Sequence, residues 1–189
     1  MRSALAAVLF LPLAAFPGET WDLITLMRHM AQVTESRSRF VETRHLALLT
    51  RPLELKGSLS YERPNRLAKH VQSPFDELLS VDGDSLTVRN NTRGESFQLS
   101  LSEQPAAGAL VESVRATLAG DLARLERHYE AALSGTRADW RLRLVPRDAQ
   151  LRKYVETISL AGAGERLTRI ETVEAGGDRS VMMILHDGK

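Results

Sequence analysis

Across residues 55–61 every odd-numbered position is apolar or glycine and every even-numbered one is polar. This is the period-two pattern of a strand with one face to bury and one to wet. Pro64 and Asn65 end the run with turn chemistry, and a second strand-like segment follows at residues 67–71. Asp82-Gly83 separates two further short runs, 78–81 and 85–88, and reads as a hairpin turn because glycine accepts the positive φ that a tight primed turn requires. Residues 53–88 therefore predict three or four consecutive antiparallel strands joined by short connections. Whatever else the chain forms must cover their apolar side.

The rest of the chain supplies both more strands and the cover. Residues 21–35 place Trp21, Ile24, Met27 and Ala31 on one helical face, with Leu23, Leu26, Met30 and Val33 beside them. A long strand is predicted over 38–49, carrying Phe40, and another where Phe97, Leu99 and Leu101 alternate with polar residues. The alternation then breaks. Over 105–119 Leu110, Val114 and Leu118 recur at helical spacing, and Gly120 ends the segment. Period two resumes at 127–134, at 140–144 (Trp140, Leu142) and at 154–160, 167–173 and 181–186, with a helical turn predicted at 148–153. About ten strands with two amphipathic helices give an α+β, mainly β domain. The expected architecture is one large curved antiparallel sheet, an unclosed half-barrel, with the helices on its concave face.

At 189 residues the chain suits a single domain. Its 25 Lys and Arg balance 24 Asp and Glu, so no global field points to nucleic acid. There is no cysteine, hence no disulfide frame or thiolate. Arg2, an apolar run over 4–15 and the Pro17-Gly18 break read as a secretory signal over residues 1–18, leaving 19–189 as the domain. The five histidines have no metal-ligand spacing, no Gly-x-Ser-x-Gly elbow occurs, and Gly162-x-Gly164 reads as a hairpin turn. Neither an enzyme nor a cofactor is expected.

The strand at 40–43, the run Gly57-x-Leu59-x-Tyr61-x-Arg63-Pro64-Asn65, Ser73-Pro74 and Val81-Asp82-Gly83 together resemble the LolA family of periplasmic carriers for outer-membrane lipoproteins. The resemblance is closest over residues 36–90. It implies a periplasmic, monomeric carrier with a hydrophobic cavity, loaded by an inner-membrane exporter and unloaded by an outer-membrane acceptor. It also implies that Arg63 locks the sheet to lid helices through helix-end carbonyls and lets go when cargo enters. The positions expected to line the cavity are Phe40, Leu59, Tyr61, Leu67, Val71, Val81, Val88, Leu99, Trp140 and Leu142. Those expected on the lid are Ile24, Met27, Met30, Leu110, Val114 and Leu118. Members of the family usually continue past the last strand with a proline-containing tail, whereas this sequence stops at Lys189. That departure keeps open a related branch carrying another hydrophobic molecule, such as a glycolipid or an acylated polyene. A lipoprotein-sensing regulatory module is the remaining alternative, and it calls for a second domain.

Overall fold

The structure is a computed structural model and describes residues 20–186, so the signal segment over 1–18 lies outside the described residues. Helix α1 (Leu23–Met30) leads into β1 (Glu35–His45), β2 (Leu53–Glu62), β3 (Arg66–Ser73), β4 (Glu77–Asp82), β5 (Ser85–Asn90) and β6 (Glu95–Ser100). Helices α2 (Pro105–Ala119) and α3 (Leu122–His128) follow. The chain then completes β7 (Tyr129–Thr136), β8 (Asp139–Pro146), β9 (Val155–Ala163), β10 (Arg166–Glu174) and β11 (Arg179–Leu185). All eleven strands belong to one sheet in the order β6-β5-β4-β3-β2-β1-β11-β10-β9-β8-β7.

Two features of that order position everything else. The first and last strands pair antiparallel at the middle of the sheet, with Phe40 opposite Ile184 and Glu42 opposite Met182. The strands β6 and β7, consecutive in sequence, form its two edges, so α2 and α3 must traverse the concave face between them. The mainly-β sheet expected from alternation is thus present as one unclosed antiparallel sheet. Among the described residues the strands number eleven rather than about ten, and the α-helices three rather than two.

The boundaries differ from expectation where local hydrogen bonding overrides periodicity. The predicted helix 21–35 shrinks to α1, whose start is capped by the Asp22 carboxylate accepting from the Thr25 N–H at 2.8 Å. Its residues from Glu35 onward belong to β1, hidden from a hydropathy reading by the polar Ser36 and Ser38. At its other end β1 stops at His45, because residues 46–49 close a turn through Leu49 N–H and Leu46 C=O, and Asp178 accepts from Ala47 N–H at 2.7 Å. The strand expected from residue 127 starts at Tyr129 instead, since Asp121 caps α3 by accepting from the Arg124 N–H.

Under β7–β9 the concave face is solid. Trp140, Leu142, Leu144, Ile158 and Leu160 are completely buried there, together with Leu125 of α3 and Leu26 and Met30 of α1. Helix α2 packs on β9 and α3 on β7, and the buried Tyr129 hydroxyl donates to the Ala109 carbonyl of α2 at 2.7 Å. Trp140 is fixed in depth by Gly162, directly opposite it on β9: a Cβ there would meet the indole at 2.4 Å. The indole N–H donates to Gly164 C=O at 2.8 Å.

Candidate functional site

Beyond the far side of α2 the same concave face opens into a cavity of about 840 Å³, inside the range of roughly 300–1,000 Å³ usual for small-molecule sites. Its floor is built by inward positions of adjacent strands. Leu59 and Tyr61 of β2 lie opposite Lys69 and Leu67 of β3, which in turn lie opposite Leu79 and Val81 of β4. Leu86, Ile170, Met182 and Ile184 extend the apolar floor, and Ala106, Leu110, Val111, Val114 and Leu118 of α2 form the roof.

The sequence-named residues do not all reach the cavity. Leu59, Tyr61, Leu67 and Val81 of the sheet, and Leu110, Val114 and Leu118 of α2, border the cavity. Phe40 and Val71 are buried in the main core and Val88 in a small cluster with Val81, Leu86 and Leu101; Phe40, Val71 and Val88 do not reach the cavity wall. Leu99 lies on the edge strand β6, away from it. Trp140 and Leu142 face inward but are sealed under the helices, so they are core and not lining. On α1 the buried stripe runs through Leu26, Met27 and Met30, which leaves Met27 and Met30 in the core and Ile24 facing outward at 61% exposure.

Two arginines tie the helices to the sheet. The Arg63 guanidinium donates to the C=O of Ala31, which caps the end of α1, at 2.5 Å and to that of Ala119, the last residue of α2, at 2.9 Å. Helix C-termini leave such carbonyls unpaired and carry partial negative charge, so a cation belongs there. The two helix ends come this close because residue 120 is glycine: its φ is +67°, and a Cβ would meet Met27 O at 2.3 Å and Ala31 Cβ at 2.7 Å. Arg115, buried on α2, donates to Gly83 C=O in the β4–β5 turn at 2.6 Å and pairs with Glu112 at 2.7 Å. Sequence reasoning missed Arg115, although an arginine directly beside Val114 on an apolar helix was the available signal.

The other group it missed lies in the cavity itself. Glu42 of β1, 3% exposed, accepts from Lys69 of β3, from Arg44 Nε at 2.8 Å and from the Ser180 hydroxyl of β11 at 2.6 Å. Lys69 Nζ also lies 5.0 Å from the Phe40 ring centroid. Burial pulls the Glu42 carboxyl upward, yet Lys69 and Arg44 hold it below its ordinary value. Burial pushes the Lys69 ammonium down, against the pull of Glu42. Tyr61, 4% exposed, has a hydroxyl with no partner among the described residues, and burial raises its pKa.

Residues 15–186 match the family described as outer membrane lipoprotein carrier protein LolA-like. An outer-membrane lipoprotein carrier protein of Methylibium petroleiphilum is 25% identical over 181 residues, covering 95% of this chain and 85% of that one. A LolA superfamily protein from Nitrosomonas europaea aligns with a TM-score of 0.46 at 13% identity, covering 88% of this chain and 93% of that one. An uncharacterized conserved protein from Thermus thermophilus aligns with a TM-score of 0.47 at 8% identity, covering 88% and 86%. With the family match running from residue 15 to the end of the last strand, this chain belongs to the LolA-like family of outer-membrane lipoprotein carrier proteins.

Proposed function

We propose that the protein is a periplasmic carrier that takes acyl chains of a lipoprotein, or of a related lipid cargo, into the cavity under α2 and moves them between the inner and outer membranes. The observation that carries this reading is the cavity: about 840 Å³ of space between an apolar sheet floor and an apolar helix face, left open by a fold that fills its other half completely. Each methylene withdrawn from water contributes roughly 0.8 kcal/mol, so a carrier with such a wall holds acyl chains without any covalent step. Release requires that the closed state compete with cargo. The Arg63 bonds to both helix ends are the proposed lock, broken as the lid helices lift. An inner-membrane exporter loads the carrier and an outer-membrane acceptor unloads it.

The test is to recover the protein from the periplasm and identify extractable ligand by mass spectrometry. A triacylated peptide supports lipoprotein cargo, and a free lipid or pigment supports the related branch. Recovery of ligand-free protein that also fails to take up acyl probes in vitro would sink the carrier reading. The charged group in the cavity favours the second cargo class, because hydrocarbon alone makes no use of it.

A further inference from the structure

The cavity holds a polar station set into its floor. Glu42 and Lys69 sit two strands apart, and the β2 residue between them on this face includes Gly57, directly opposite Phe40 on one side and Val71 on the other. With no side chain at Gly57, Lys69 reaches across β2 to Glu42 above the Phe40 ring. The strands are too close there for anything larger, since a Cβ at residue 57 would meet His70 O at 1.8 Å.

The hydrogen-bonding capacity of this station is lopsided. Both Glu42 oxygens are engaged, one by Arg44 and Ser180 and the other by Lys69. What remains is donor: two N–H groups of the Lys69 ammonium, four of the Arg44 guanidinium, and the unpartnered Tyr61 hydroxyl. Tyr61 lies two residues along β2 from Leu59, the residue opposite Lys69, so the two are diagonal neighbours about 7–8 Å apart. Glu42, Arg44, Lys69, Ser180 and Tyr61 all border the cavity. Among nearby acids, Glu77 acts on Lys69 through its field, while Asp178, which accepts from Ala47 N–H, and Glu174 also border the cavity. A buried ion pair returns little or no stability over apolar side chains of equal size, so folding alone does not account for one in an apolar pocket.

We infer that the cargo carries an anionic oxygen group, phosphate or carboxylate, at its polar end, seated on Lys69 and Arg44 with the Tyr61 hydroxyl donating to one of its oxygens. The inference rests on the carrier reading and narrows its cargo: a neutral acylated end leaves the station's donors unused, whereas charge-assisted bonds to an anion use them.

The experiment is displacement of a fluorescent acyl probe from the purified protein by dioleoylglycerol, dioleoyl phosphatidic acid and oleate. Wild type should bind the anionic lipids at least about tenfold tighter than the neutral one. Oleate against phosphatidic acid tells a carboxylate cargo from a phosphate one. Glu42→Gln/Lys69→Met, which removes both members of the pair and strands neither, should bring the ratio to within about threefold. Tyr61→Phe, which deletes only an unpartnered hydroxyl, should lower anionic affinity by about threefold or more and lower the ratio of anionic to neutral affinity with it. Equal wild-type affinity for neutral and anionic lipids overturns the inference, as does a ratio untouched by both variants. If no probe of either kind is bound, the carrier reading falls and takes the inference with it.

Discussion

Under β7–β9 and under β1–β5 the concave face is made in the same way, from the inward residues of antiparallel strands, yet one half is packed solid and the other is hollow. The filled half presents Trp140, Leu142, Leu144, Ile158 and Leu160, all completely buried, and no charged residue at these inward positions. The open half presents Leu59, Leu67, Leu79 and Val81, with Glu42 and Lys69 among them. The difference lies in what sits above. Helices α2 and α3 lean on β9 and β7, so one face of α2 finishes a core while its Leu110, Val111, Val114 and Leu118 look across a gap. Core and cavity are therefore decided by the placement of one helix, and the strand pattern is common to both.

The contrast can be broken most directly by truncation. Trp140→Ala should cost about 3–5 kcal/mol in urea unfolding, against about 1 kcal/mol for Leu59→Ala on the cavity wall. Equal costs would mean that the open half is as well packed as the filled one. Next in size is the ion pair. Lys69→Met leaves Glu42 buried with Arg44 and Ser180 alone and should destabilise by about 2 kcal/mol, most of which Glu42→Gln/Lys69→Met should recover. A double variant as unstable as the single one would show that the pair itself holds the sheet.

Arg63→Leu should cost about 1 kcal/mol, the bonds being solvent-exposed. Its effect should be local: hydrogen exchange should speed up several-fold in α1 and at the end of α2, with β8 and β9 unchanged. Unchanged protection in both helices and unchanged cargo transfer would remove Arg63 from the mechanism. The smallest effect is on acid stability. Because the Glu42 carboxyl is held below its ordinary value of 4.5, its stabilising contribution is complete above about pH 4.5 and is lost as pH falls through the lower native value. Glu42→Gln should flatten the fall in Tm between about pH 5 and pH 3, and an identical fall in both proteins would contradict that assignment.

The alternation at β2 and the hairpin at Asp82-Gly83 were legible because both depend on residues close in sequence. The pairing of β1 with β11 was not, since it joins residues such as Phe40 and Ile184 that share no local signal. Trp140 and Leu59 carry the same inward alternation, and only the position of α2 separates a core residue from a lining one. Glu42 and Lys69 were readable in principle. They fall in phase with Phe40, and with Leu67 and Val71, but a charge at an inward position looks like an interruption of the strand until its partner two strands away is known.

Because β6 and β7 never meet, the rim of this sheet is joined only by the chain that runs through α2 and α3. A closed barrel fixes its bore by a complete ring of ladder hydrogen bonds. Here no such ring closes among the described residues, so a change of curvature would break side-chain contacts such as those of Arg63 and Arg115 and leave the rungs between neighbouring strands intact. A change in the width of the cavity would therefore be taken up at the seam, and the backbone ladder would be spared.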